Sequence, residues 1–175
     1  MSKLQKLSKL ARLLRVLTIG GMILLPLAII VGLATSPATF ATSQFDFDLS
    51  PQITQTQLWA AITLGLINVL IVLFILNGMR KLFDAYSKGD VLTDYCAVLI
   101  QRIGKGFVAL AAANFLLYPL QTLLLTMANP PGQRSIAIGL NSDMIFFALS
   151  GGLIVVIGWA MREASDAAAE NKAFV

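Results

Sequence analysis

Four segments of this chain, 16–35, 58–79, 106–128 and 144–161, contain no Asp, Glu, Lys or Arg. At a rise of about 1.5 Å per helical residue they run roughly 27–35 Å, the length needed to cross a hydrocarbon core of about 30 Å. Nothing else constrains the fold as strongly. A backbone in lipid must satisfy its own hydrogen bonds, and a helix does so within a single segment.

The charges lie between and beyond these segments, and the bases are unevenly shared. Lys3, Lys6, Lys9, Arg12 and Arg15 precede the first segment, and Arg80, Lys81, Lys88, Arg102 and Lys105 fall in the stretch 80–105. Arg162 and Lys172 follow the last segment, whereas the connections 36–57 and 129–143 hold Arg134 alone. Bases near the ends of membrane helices are retained on the cytoplasmic side. The expected fold is therefore an all-α membrane protein, an antiparallel four-helix transmembrane bundle with both termini cytoplasmic. The whole chain, 1–175, would form one integral membrane domain, with a cytoplasmic hairpin over 80–105 and a cytoplasmic tail helix over 162–175.

Composition agrees with this class. The chain is 57% hydrophobic and 13% charged, against about 25% charged in a soluble domain. Its net charge of +4 flanks apolar segments instead of gathering on a soluble module, which points to anionic lipid headgroups and away from nucleic acid. There is no histidine and one cysteine, Cys96. An intramolecular disulfide is excluded, as are the usual His/Cys zinc sites and histidine-based catalysis.

In the N-terminal flank, bases recur every third residue from Lys3 to Arg15, with Leu4, Leu7, Leu10 and Leu13 one step behind. A spacing of three drifts around a helix, so neither stripe keeps one face. A short surface helix is one reading; a positive flank that holds the N-terminus inside is the plainer one. The first segment also has a rival reading as a signal peptide cleaved after Thr39-Phe40-Ala41. Its apolar run exceeds the usual ~7–15 residues, which favours a retained helix. Pro26 and Pro119 should bend the first and third helices.

The external connections each carry a short alternation, at 45–49 and at 136–140, with the period of a half-buried strand. A small β pairing between the two external loops is expected. Trp59 and Trp159 suit interfacial anchors. Ala61/Gly65, Ala109/Ala113 and Ala148/Gly152 have the small-residue spacing that allows close helix approach. In the hairpin, Gly89 suits the left-handed position after a helix end, and Thr93 or Asp94 suits the cap of the next helix. Ser142 or Asn141 suits the cap of the fourth.

The polar residues inside the segments, Asn68, Asn114, Tyr118 and Gln121, are candidates for interhelix contacts or for the lining of a ligand site. Asn68 lies about 18 Å along its helix from Arg80, and Asn114 about 13 Å from Lys105, so the two amides fall within about one turn of the same depth. Segments free of ionisable groups argue against an ion-coupled pump, and less so against a passive pore. Cys96, near a helix start and bases, has a reactive-thiol reading beside the plainer one of a partly buried thiol. Arg80, Lys81, Lys88, Arg102 and Lys105 are candidate contacts for lipid headgroups or an acidic partner. The tail residues Glu163, Asp166, Glu170 and Lys172 read as a solvated helix face, with docking of the tail on this basic stretch as the alternative.

The hairpin reads Leu82-Phe83, then Gly89-Asp90-Val91-Leu92-Thr93, then Arg102-Ile103-Gly104, and the chain closes on Glu170-Asn171 followed by Phe174-Val175. In these motifs and their order among four apolar segments it resembles the bacterial inner-membrane domain-of-unknown-function family numbered 2975. Leu92 stands where Phe is more usual. The resemblance implies four spans in a bacterial inner (cytoplasmic) membrane and marks Gly89, Asp90, Thr93, Gly104, Glu170, Asn171 and Phe174 as motif positions. It also implies a helix-turn-helix regulator as a candidate partner, and it supplies no catalytic residue. Self-association stays open.

No nucleophile–base pair or metal constellation stands out, and no cofactor is expected. The favoured expectation is a non-enzymatic regulatory or scaffold membrane protein that meets a partner through the hairpin and tail. The alternative is a passive transporter, or a lipid- or small-molecule-binding protein, using the polar interior. The two differ in whether those side chains line a continuous cavity or are used up between helices.

Overall fold

A computed structural model describes residues 3–42, 53–130 and 141–173. Its elements are α1 (Lys3–Thr35), α2 (Pro37–Thr42), α3 (Gln55–Lys88), α4 (Asp94–Thr126) and α5 (Ser142–Ala173). Among the described residues, four of these helices are long and apolar enough to cross a membrane. Each continues well past its apolar segment: α3, with 34 residues, extends roughly 50 Å.

Helix boundaries follow local chemistry. Thr54 opens α3 with a reciprocal cap: its Oγ1 accepts from Gln57 N at 3.4 Å, and its own N donates to Gln57 Oε1 at 3.1 Å. Two donors that the first turn leaves free are thereby satisfied. Gly89 ends the helix at φ 97°, and its N–H turns back to the carbonyls of Ala85 and Tyr86. Only glycine enters that region without strain. Thr93, not Asp94, caps α4, with Thr93 Oγ1 accepting from Cys96 N at 3.3 Å. The basic N-terminal flank is no separate surface helix; it is the first part of α1. Both α1 and α4 run through their internal prolines as single helices.

The contacts order the helices in series. In the first half of α1, Arg15 meets Asp84 near the end of α3, and Gly21 lies under Leu76 further along. Gly78 of α3 faces Ile103 of α4, and Gly65 faces Gln121. Gly104 of α4 faces Gly151 of α5, and Asp94 meets Arg162. Neighbours thus run in opposite directions. Among the described residues, α1 has no Cα within 8 Å of α4 or α5, and α3 has none within 8 Å of α5. Among the described residues, no contact of α1 against α5 closes a ring of four.

The best-buried residues accordingly sit in the middle of the series. Ile75, Leu82, Ala85, Cys96, Leu99, Ile100, Ile103 and Leu110 form one cluster from α3 and α4, with Phe147, Ile154 and Met161 of α5 packed against it. On α1, Leu17, Ile23, Leu24 and Ile30 stay exposed, as do Phe146, Leu149, Leu153 and Trp159 on α5. Facing lipid, such side chains need no protein cover.

Two expectations about close packing need correction. Gly152 has nothing within 4 Å of an added Cβ, and Ala148 is exposed; the residues that approach α4 are Gly151 and Gly158, on an adjacent face. Ala109 is likewise exposed, and the close approach on α4 is made by Gly104. A Cβ on Gly104 would sit 2.7 Å from Gly151 O. Both expected alternations, 45–49 and 136–140, lie outside the described residues, among which there is no strand. The Thr39-Phe40-Ala41 triplet forms part of α2, and the Phe40 ring lies against Gly32.

Candidate functional site

Two regions gather the polar side chains: the interior between α3 and α4, and the end where both termini and the hairpin meet. In the interior, Asn68 Nδ2 donates to Asn114 Oδ1 at 2.7 Å. Gln121 crosses from α4 to donate through Nε2 to Ala61 O at 3.2 Å. The small Ala61/Gly65 pair makes room for it, since a Cβ on Gly65 would stand 3.0 Å from that nitrogen. The spacing expected to admit a helix backbone admits an amide side chain instead. Tyr118, one helical turn from Gln121, is half-buried.

A hollow of about 330 Å³ adjoins these amides, walled by Leu25 and Ile29 of α1, Phe40 of α2, Ala61 and Gly65 of α3, and Gln121. Asn68 also borders it, and its Oδ1 is buried with no donor among the described residues. The site is thus apolar with a few polar groups, and its two amides are already engaged across the α3–α4 contact.

At the basic end, carboxylates tie the outer helices to the inner pair. Asp84 of α3 accepts from Arg15 of α1 and from Lys88, both at 2.7 Å. The hydrogen bond from Lys88, helped by the Arg15 charge, holds its carboxyl below the ordinary value. Ser8 Oγ donates to Ser87 O at 2.9 Å in the same junction. On the other flank, Arg162 Nε meets Asp94 Oδ1 at 3.0 Å. The tail therefore docks on the hairpin with the polarity reversed: the base belongs to α5 and the acid to the hairpin. Glu170 and Asn171 lie on α5, and Phe174 lies outside the described residues.

Among the expected headgroup contacts, Arg80 turns inward and donates through Nη2 to Asn77 Oδ1 at 3.1 Å, while Lys88 is taken by Asp84. Lys81, Arg102 and Lys105 are exposed, and among the described residues none of them forms an ion pair. Asn77 was not singled out from the sequence, although its position three residues before Arg80 is a helical neighbour's spacing.

The hairpin turn is tightly specified. Cys96 is wholly buried, and its Sγ–H donates to Asp90 O at 3.1 Å, so the thiol serves as an internal brace. Burial, with the neighbouring Cys96, pushes the Tyr86 hydroxyl above its ordinary pKa. Outside this brace Leu92 is 71% exposed and Tyr95 55% exposed. The resemblance drew attention to position 92 only through its usual aromatic. That a capped, rigid turn holds two large apolar side chains outward appears only in three dimensions.

These observations describe four helices long and apolar enough to cross a membrane, with the elaborated surface at their basic end. No family model matches the chain, and neither a curated protein nor a solved structure does.

Proposed function

We propose that this chain is a non-enzymatic, multi-pass scaffold or regulatory protein of a bacterial inner membrane, with its basic end cytoplasmic, that engages a protein partner through the hairpin turn. The observation that carries the reading is the outward display of Leu92 and Tyr95 on a braced turn. Lys88 lies eight residues beyond Arg80, so the turn stands about 12 Å past the end of the apolar segment. A headgroup layer is only about 5–8 Å deep on each side. Large apolar residues held beyond it suit the anchors of a protein interface. Twelve of the thirteen bases lie at or beyond this end in sequence, which supports its cytoplasmic side. The resemblance noted above adds a helix-turn-helix regulator as one candidate partner, and a second copy of the chain is another.

A photo-crosslinking residue at position 92 or 95, in native membranes, tests this. One discrete protein adduct at both positions, weakened by Leu92→Asp when the probe is at 95, is the expected result. Lipid adducts alone would end the partner reading, and an external protease removing a tag at Val175 from intact cells would end the topology.

A second reading, uptake of a small apolar molecule, is favoured by the 330 Å³ hollow beside Asn68 and Gln121. It ranks lower because both amides already bond across the α3–α4 contact.

A further inference from the structure

Along α3, Ile67, Leu70, Phe74 and Lys81 follow at steps of three, four and seven, and along α4, Arg102, Lys105 and Ala109 follow at steps of three and four. Such steps keep residues on one helix face. The structure sets the two faces side by side. Ile67, Leu70, Ile71 and Phe74 form one wall of an apolar groove of about 460 Å³, with Ala109 on the other, and Arg102 and Lys105 stand at its basic end. A smaller hollow of about 30 Å³ shares Phe74 and Arg102 with the groove and adds Lys81 and Asn77.

What distinguishes this groove from the rest of the apolar surface is its unbalanced charge. Arg15, which joins the outer helix α1 to α3, is neutralised by Asp84, and Arg162, which joins α5 to α4, by Asp94. Lys81, Arg102 and Lys105 have no such carboxylate among the described residues. Lys9 and Arg12 also lack one among the described residues, but the concavity they share with Gln5, Ser8 and Ser87 has no Leu, Ile, Val or Phe in its lining. Between α3 and α4, unpaired positive charge caps a channel that runs down into the apolar segments. The groove extends about 10 Å from Phe74 to Ile67.

We propose that this groove is a binding site for one anionic phospholipid, its phosphate held by Arg102, Lys105 and Lys81 and one acyl chain laid along Ile67, Leu70 and Phe74. Guanidinium and ammonium groups bind phosphate by charge-assisted hydrogen bonds, and basic pockets between membrane helices take anionic headgroups. The site does not depend on what the hairpin turn binds.

Native mass spectrometry of the full chain in detergent, titrated with phosphatidylglycerol or phosphatidylcholine, tests the assignment. Phosphatidylglycerol should bind at least tenfold more tightly. Arg102→Gln/Lys105→Gln should lower that affinity at least tenfold, and Ala109→Trp, which fills the groove and leaves the charge alone, should lower it several-fold. Lys6→Gln/Lys9→Gln removes as much charge from α1 and should change nothing. All these side chains are exposed, and matched melting temperatures would show that the fold is kept. Equal binding of the two lipids, or an α1 variant as weak as the groove variant, would overturn the site. So would competition by glycerol phosphate as effective as by the whole lipid, since that would place a free anion and no acyl chain in the groove.

Discussion

Gly104 and Gly151 bring α4 and α5 together so closely that a Cβ on Gly104 would lie 2.7 Å from Gly151 O, and one on Gly151 would lie 2.8 Å from Gly104 O. Backbone on both sides leaves nothing flexible to yield. Gly104→Ala or Gly151→Ala should therefore force the helices apart and destabilise the protein by about 1–3 kcal/mol. Gly152→Ala, with open space around it, should be neutral or stabilising by up to about 1 kcal/mol. Thermal melting in detergent separates the two outcomes.

The bond between Asn68 and Asn114 is the main polar link in the centre of α3 and α4. A double-mutant cycle with Asn68→Leu and Asn114→Leu should give a coupling near 0.6 kcal/mol and at most about 2 kcal/mol. A coupling indistinguishable from zero would mean that the amides find equal partners when the helices separate.

Asp84 makes the α1–α3 junction depend on pH. Its carboxyl is held below the ordinary value of 3.8, so the folded state favours the charged form. The stabilisation is complete above about pH 4 and is lost as the pH falls through the lowered value. A fluorophore pair reporting the α1–α3 distance should stay constant from pH 8 to 5 and separate only in stronger acid. Asp84→Asn should show the acid-state distance at neutral pH.

Cys96 should resist modification while the protein is folded. Its thiol is wholly buried against Asp90 O, so maleimide labelling should be slow in native membranes and fast in denaturant. Thr93→Ala removes the cap on Cys96 N, costing about 1 kcal/mol, and should raise the native labelling rate.

The parts of this architecture that were legible in the sequence are those set by local chemistry or by charge. Gly89 and Thr93 act within a few residues of themselves, and their type alone announces the turn. The Asn68–Asn114 bond followed from counting depth inward from the bases. The face that each helix presents was harder to read. Ala148/Gly152 and Gly151/Gly158 both have acceptable spacing on an almost wholly apolar helix, and period alone cannot choose between adjacent faces. For the same reason the missing α1–α5 contact leaves no trace: leucines that face lipid and leucines that face a helix are the same residues. Arg15 and Asp84, 69 positions apart by their numbers, gave no local signal of pairing.

The serial packing has a bearing on how this protein is made. A helix with a single long neighbour contributes nothing to the seam on that neighbour's far side, so α4 can settle against α3, and α5 against α4, before α1 arrives or after it leaves. During biogenesis the first helix emerges earliest yet waits longest for its partner surface, with only the Asp84 junction and one flank of α3 to receive it. Of the two helices at the ends of the series, α5 is held to α4 by the Gly104–Gly151 approach, which leaves α1 as the end that can be exchanged, displaced or traded between copies without dismantling the remainder.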